Sequence, residues 1–575
     1  MKLHARRFSC HIRPMNFLAR CAVLLACAVT MPSFAVQSGI VAQTATAPHD
    51  MVVTEQHLAS DVGLRILEEG GNAIDAAVAI GYAEAVVYPC CGNLGGGGFM
   101  LIHPARGPDF FLDFRETAPL AATVRMYLDS SGNQIPGSSR TGWRAAGVPG
   151  TVMGLETARE RFGRLSRAQL IAPAIALARD GFILTRHDAD LINGVSGLGS
   201  LPLFRRPDGS SLTAGDRLTQ PDLARTLQSI ATDGPAAFYQ GAIPSKIQSA
   251  AQSNNGLLTA EDFARYRAVW RAPITCRYRG YDITSAAPPS SGGVAVCEAL
   301  NILSGYDLKS LGYHSASSIQ LIAEAERHAF LDRNNALGDP DFITNPTAHL
   351  TDPAYAAAIR AAITPGRATP SSSLPPGSPP HEKYETTQYS VIDRDGNAVS
   401  VTYTLNGRFG AEVTAPGTGV LMNDEMDDFT TDLGQPNMFS LLQGVRNEIA
   451  PGKRPLSSMS PTIITRDGKL VMVLGSPGGS RIISVVLQTI INVIDYGMPI
   501  DQAVSAPRIH EQYLPDVLYL EPNALAPATV GNLRSMGYEI KGVPPFGAAE
   551  SIERINDHWL GVNDPRAGSG EAEGD

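Results

Sequence analysis

Charge is scarce in this sequence: 18% of its residues are charged, against 43% that are hydrophobic. Wholesale disorder is excluded, because it needs high charge and few apolar groups. There is no basic excess either. The formal net charge is −10, which argues against a nucleic-acid partner. Beyond the N-terminus no apolar run reaches the roughly 18 residues of a membrane span, so a polytopic membrane protein is excluded. The chain has no CxxC, no HExxH and no close histidine pair after residue 35, so no metal and no cofactor are expected. A GxxxxGK[ST] phosphate loop is missing, and so is any internal repeat. What is there is length. At 575 residues the chain predicts a large composite fold or two to four domains.

The first 35 residues read as a separate object. Lys2, Arg6, Arg7, Arg13 and Arg20 form a basic start with no acidic residue, and an apolar run follows from Cys21 to Met31. Ser33-Phe34-Ala35 then supplies small residues at the −3 and −1 positions of a cleavage site. This is the pattern of a secretory signal peptide, which predicts a periplasmic or secreted protein with no membrane span in its mature form. Lipoprotein processing at Cys27 and a buried N-terminal helix are the alternatives. Three of the seven cysteines leave with the leader. Cys90 and Cys91 are adjacent, where a bond would be strained. Cys276 and Cys297 could bridge in an oxidising compartment or remain buried thiols.

Along the mature chain, 57–70 and 72–85 read as helices, and 99–103 and 110–115 as strands. Between them Gly92-Asn-Leu-Gly-Gly-Gly-Gly-Phe-Met100 requires close backbone approach. Residues 147–350 read as mainly helical. Residues 364–381 carry six prolines and read as a linker or mobile end. The text then changes. Residues 387–393 and 398–405 alternate around the turn Arg394-Asp-Gly-Asn397, predicting a hairpin. A strand over 469–474 runs through Gly475-Ser-Pro-Gly-Gly-Ser480 into a helix over 481–495. The Gly- and acid-rich tail from Asp564 is expected to fray.

A Pro-rich segment reaching almost to Glu385, followed by a Thr-led strand, is an unusual join. Cleavage between Glu385 and Thr386 would give Thr386 a free α-amine beside its own hydroxyl. Such an amine has a pKa of about 8 and can serve as general base at neutral pH. Gly478 and Gly479, ahead of a helix, can turn two N–H groups toward a developing oxyanion. A tight turn explains the same glycines. Arg115 offers a guanidinium suited to a carboxylate. Ser457 and Ser458 are adjacent hydroxyls, and Asn423-Asp-Glu-Met-Asp-Asp428 offers four carboxylates. Each alone reads as a cap, turn or surface charge. Together they match a zwitterionic amino-acid substrate.

At these residues the chain resembles the γ-glutamyltranspeptidase (glutathione hydrolase) family of N-terminal-nucleophile hydrolases. The matching stretches include EGGNAIDAAVA (69–79), GNLGGGGFM (92–100), DFRETAP (113–119), PPSSGG (288–293), TTQYSVIDRDGNAVSVTYTLN (386–406), RPLSSMSPT (454–462) and GSPGGSRI (475–482). The resemblance implies an α+β fold, a four-layer αββα sandwich built from two subunits cut from one precursor. Those subunits would be 36–385 and 386–575, held as a heterodimer. It implies Thr386 as nucleophile, Thr404 as the hydroxyl positioning it, and Gly478 and Gly479 as the oxyanion hole. Arg115, Ser457 and Ser458 would bind the substrate α-carboxylate, and Asn406, Glu425 and Asp428 its α-amino group. Donors would be glutathione and other γ-glutamyl compounds; acceptors would be water, amino acids or peptides. Residues 429–444 resemble the family's lid, with Phe439 where some relatives have Tyr; Gln388 receives no role. A cephalosporin acylase of the same fold would take glutaryl chains, which lack the ammonium and would leave Asp428 uncompensated. A secreted binding protein with a dead site would be expected to lose Thr386 or the glycine pair.

Overall fold

A computed structural model describes residues 42–195, 197–198, 201–374 and 386–575. The expected leader, Cys27, residues 375–385 of the Pro-rich join and therefore Glu385 lie outside the described residues.

Two seven-stranded sheets dominate, with strands numbered in chain order. One runs β1 (Gln43–Ala47), β18 (His558–Asn563), β17 (Ser551–Ile555), β13 (Lys469–Leu474), β12 (Thr462–Arg466), β9 (Tyr281–Ser285), β8 (Ile274–Tyr278). The other runs β19 (Glu571–Gly574), β2 (Met51–Thr54), β10 (Thr387–Ile392), β11 (Ala398–Thr404), β3 (Gly97–His103), β4 (Phe110–Phe114), β7 (Val269–Arg271). Smaller sheets join β14 (Ile509–His510), β15 (Leu518–Leu520) and β16 (Ile540–Gly542), and β5 (Phe182–Ile183) with β6 (Arg217–Leu218).

Side-chain alternation explains the stacking. On β3, Met100 and Ile102 join the core that contains the helices His57–Glu68 and Ala73–Val87. Phe99 and Leu101, the residues between, join the core shared with β12 and β13. Because β3 is buried on both faces, its run Phe99–Ile102 reads without polar gaps. The helices Gly292–Leu303, Ala316–Ala336 and Ile482–Ile494 belong to that second core. The result is a four-layer αββα sandwich, the architecture that the resemblance implies. Polar bonds stitch its two sheets: Ser390 Oγ donates to Glu550 O at 2.8 Å and Ser400 Oγ to Leu474 O at 2.9 Å. No helix among the described residues is long and apolar enough to cross a membrane.

The hairpin at 387–405 forms as read. Asp393 builds its turn by accepting from the N–H groups of Asp395 and Asn397. Its other oxygen accepts from Ala73 N at 2.9 Å, so it also satisfies the first turn of the helix Ala73–Val87. All of that helix is buried, which its small, Ala-rich sequence permits.

The region 147–350 is mainly helical, as read, and it also contributes β7, β8 and β9 to the main sheets. Other readings differ from what the structure shows. The tail does not fray: β19 pairs with β2, and Asp575 O accepts from His49 N and Asp50 N at 3.1 Å. The Pro-rich segment is docked as far as it is described. Ser371 is buried, its N donating to Asp516 Oδ2 at 2.7 Å and its Oγ to Tyr513 O at 2.6 Å. Cys90 and Cys91 are paired as a vicinal disulfide despite their adjacency. The Cys276–Cys297 disulfide is also made, with an S–S distance of 2.03 Å, and ties β8 to the helix Gly292–Leu303.

Candidate active site

Thr386 sits immediately before β10, buried at the mouth of the hairpin. Thr387 pairs with Tyr403, so the antiparallel register carried one step further sets Thr386 opposite Thr404. Thr404 Oγ1 accepts from Asn406 N at 2.8 Å, and Thr404 O accepts from Asn93 Nδ2 at 2.9 Å. Asn93 belongs to the glycine-rich stretch and holds it by accepting from Gly96 N at 2.8 Å. A Cβ at Gly95 would strike the Leu421 carbonyl, and one at Gly96 the Thr404 carbonyl. The glycines are thus required by backbone crossing directly beneath the nucleophile candidate.

Two buried acids brace the start of β10. Glu55 accepts from Gln388 N at 2.8 Å, and Glu84 accepts from Thr387 Oγ1 at 3.2 Å. Gln388, given no role above, has one: Thr402 Oγ1 donates to its Oε1, and its Nε2 donates to Ser400 Oγ at 3.0 Å. Its side chain also fills the space a Cβ at Gly475 would need, so it abuts the turn carrying the glycine pair.

In that turn Gly478 and Gly479 have φ of 130° and 57°, conformations that a side chain would strain. A Cβ at Gly479 would also meet the Phe439 ring. Gly479 faces a small cavity that Thr386, Thr404, Asn406, Arg115, Glu425, Asp428, Ser457 and Ser458 line. Every expected site residue among those described reaches this cavity except Gly478, which is next to it in the chain.

Arg115 follows β4 and is fully buried. Its Nη1 donates to Glu425, its Nη2 to Asp428 Oδ2 at 2.5 Å, and its Nε to Pro455 O at 3.3 Å. Burial pulls this guanidinium down, but Glu425, Asp428 and Glu116 more than offset it and its net shift is upward. Burial raises Asp428 to about 6 and Glu116 to about 7, with Arg115 opposing in both. Of the four acids at 424–428, only Glu425 and Asp428 face the cavity. Asp424 accepts from Gly407 N, and Asp427 accepts from Ser139 Oγ and Met438 N; both shape the loop.

The two serines are held from behind by the 288–293 segment. Ser457 N donates to Pro289 O at 2.8 Å, and Ser291 donates to Ser457 O through both N and Oγ. The expected lid packs inward: Asn437 Nδ2 donates to Asp428 Oδ1 at 3.1 Å, and Gln443 Nε2 to Asp428 O at 2.8 Å.

Sequence reading missed Arg333, which also lines the cavity. It lies on the buried face of the helix Ala316–Ala336, one turn beyond Ala329, two beyond Ala325 and three beyond Ile322. An arginine prolonging an apolar stripe was the available signal. Near a helix C-terminus it is easily read as a favourable end charge instead.

The profile of the γ-glutamyltranspeptidase family matches residues 59–574. A glutathione hydrolase proenzyme from Pseudomonas sp. (strain A14) is 52% identical over 569 residues, covering 96% of this chain and 98% of that protein. Among solved structures, a cephalosporin acylase from Bacillus halodurans superposes with a TM-score of 0.80 at 27% identity, covering 92% of this chain and 96% of that one. The Helicobacter pylori γ-glutamyltranspeptidase gives a TM-score of 0.54 at 45% identity, covering 56% of this chain and 93% of that one.

Proposed function

Because this chain belongs to the γ-glutamyltranspeptidase family, we propose the following residue roles for its chemistry. The protein is a self-processing γ-glutamyltranspeptidase and glutathione hydrolase. It is made as a precursor and acts as a processed two-subunit enzyme on γ-glutamyl compounds. The cut falls between Glu385 and Thr386. Thr386 Oγ attacks the γ-carbonyl while the new α-amine takes its proton. The N–H groups of Gly478 and Gly479 receive the oxyanion, and Thr404 orients the hydroxyl. Collapse expels the amine with the transferred proton and leaves a γ-glutamyl ester on Thr386. Water, an amino acid or a peptide then takes the acyl group.

The observation that carries this reading is the cavity itself. Thr386 lies in it together with Arg115, the hydroxyls of Ser457 and Ser458, and the acids Glu425 and Asp428. Arg115, Ser457 and Ser458 suit an α-carboxylate; Asn406, Glu425 and Asp428 suit an α-ammonium. The likeness to a cephalosporin acylase keeps a glutaryl substrate as second reading. A glutaryl chain would bring no cation to Glu425 and Asp428, which favours γ-glutamyl. A periplasmic or secreted location fits the basic-apolar leader and the Cys276–Cys297 disulfide.

Maturation tests the nucleophile. Wild-type protein should give two bands on a denaturing gel, the smaller beginning at Thr386. Thr386→Ala should give one uncut chain, and two bands from that variant would remove Thr386 from the mechanism.

A further inference from the structure

Arg333 is a fully buried guanidinium whose hydrogen-bond partners are all neutral. Its Nε donates to Ser291 Oγ at 3.1 Å, its Nη1 to Asn334 Oδ1 at 3.0 Å and Gln443 Oε1 at 2.8 Å, and its Nη2 to Ser458 Oγ at 3.2 Å. Among the described residues no carboxylate lies within 4 Å of it. Burying a cation without a counter-ion is costly. Burial lowers its pKa to about 10, with Asp428 opposing and Arg115 adding repulsion. The cavity's other guanidinium is in the opposite condition: Arg115 already engages Glu425 and Asp428, with Glu116 at 3.6 Å.

This asymmetry bears on the substrate. Its ammonium must share Glu425 and Asp428 with Arg115, so one guanidinium is divided between protein acids and the incoming carboxylate. The carboxylate arrives at Ser457 and Ser458, and Ser458 Oγ is the hydroxyl that Arg333 already touches. A hydroxyl that accepts from a guanidinium can turn its own proton toward a carboxylate. We propose that Arg333 is a specificity-determining residue of this enzyme, the second cation of the α-carboxylate subsite, acting with Ser458. Gln443 links it to the lid, since that side chain accepts from Arg333 and donates to Asp428 O. The inference rests on the γ-glutamyl reading above and adds to it a second guanidinium lining the same cavity as Arg115.

The test compares a γ-glutamyl anilide with its analogue whose α-carboxylate is a primary carboxamide. Arg333→Gln and Arg333→Lys are purified with wild type, and processing is checked on a gel. For the carboxylate substrate Arg333→Gln should raise KM about 10- to 100-fold with kcat little changed, the loss of one charge-assisted bond. The carboxamide, already poor on wild type, should be affected several-fold less, and Arg333→Lys should recover part of the carboxylate's affinity. Equal losses on both substrates would overturn the proposal and leave Arg333 a scaffold residue. So would failure of both variants to mature. If only Arg333→Lys matures, its KM must still shift more for the carboxylate than for the carboxamide. A wild type that cleaves the anilide without distinguishing the two would overturn the carboxylate subsite itself. A wild type inert toward the γ-glutamyl anilide would remove the functional reading beneath it.

Discussion

The proposed pocket makes Asp428 the residue expected to decide substrate choice. It is bonded to Arg115 and Asn437, and it is an acid that a γ-glutamyl ammonium would satisfy and a glutaryl chain would not. Asp428→Asn should lower kcat/KM about 10- to 100-fold for a γ-glutamyl anilide, and more if Arg115 is left short of charge. A glutaryl anilide should lose less or gain. Equal loss on both would show that Asp428 is not the ammonium partner. The same reasoning gives a pH dependence. Burial raises Asp428 to about 6, so its anion is present above that pH and neutralised as pH falls through it. The ratio of γ-glutamyl to glutaryl kcat/KM should therefore decline below about pH 6. Taking a ratio cancels the titration of the Thr386 amine, which both substrates share. A ratio flat from pH 8 to 5 would contradict the assignment. At this scale the sequence showed residue types whose chemistry is local, such as a Thr-led strand and a glycine pair before a helix. Arg333 stayed hidden because its meaning depends on Ser458, brought beside it only by packing.

Elements were legible where their own periodicity decides them. The hairpin β10–β11 and the strand β13 lie within a residue or two of where alternation placed them. The tail was misread because Gly and Glu carry no strand signal. What makes β19 a strand is the open edge of β2 beside it. Ala572 is buried there, Ser60 Oγ donates to Glu571 O at 2.8 Å, and Ala572 N donates to Gln43 Oε1 at 2.6 Å. Removing residues 571–575 should expose that edge and lower the midpoint of thermal unfolding by several degrees, since each ladder bond is worth about 0.5–1.5 kcal/mol. An unchanged midpoint in a melting scan would show the strand to be decoration. Of the Pro-rich segment only residues 364–374 are described, and there Ser371 is fixed by Asp516 and Tyr513, partners distant in sequence that composition does not reveal.

Over the whole molecule, the proposed cut divides both sheets. β10, β11 and β19 lie after Thr386, while their neighbours β2, β3, β4 and β7 lie before it. In the other sheet β8, β9 and β1 come from before the cut and β12, β13, β17 and β18 from after. The two processed chains should therefore co-elute as one species in native buffer and part only in denaturant, because separation would expose both cores. Folded subunits resolved on a native sizing column would contradict the interleaving. The hairpin wedged between strands of the other chain also carries a consequence for the enzyme's lifetime. Only the uncut precursor can find this pairing as a single chain. Once the bond is broken, rebuilding an unravelled molecule needs two strangers to meet and interdigitate strand by strand, at a rate set by their dilution. A working copy is assembled once, from the halves of a single act of translation. How long it serves depends on how slowly it comes apart, with no easy road back.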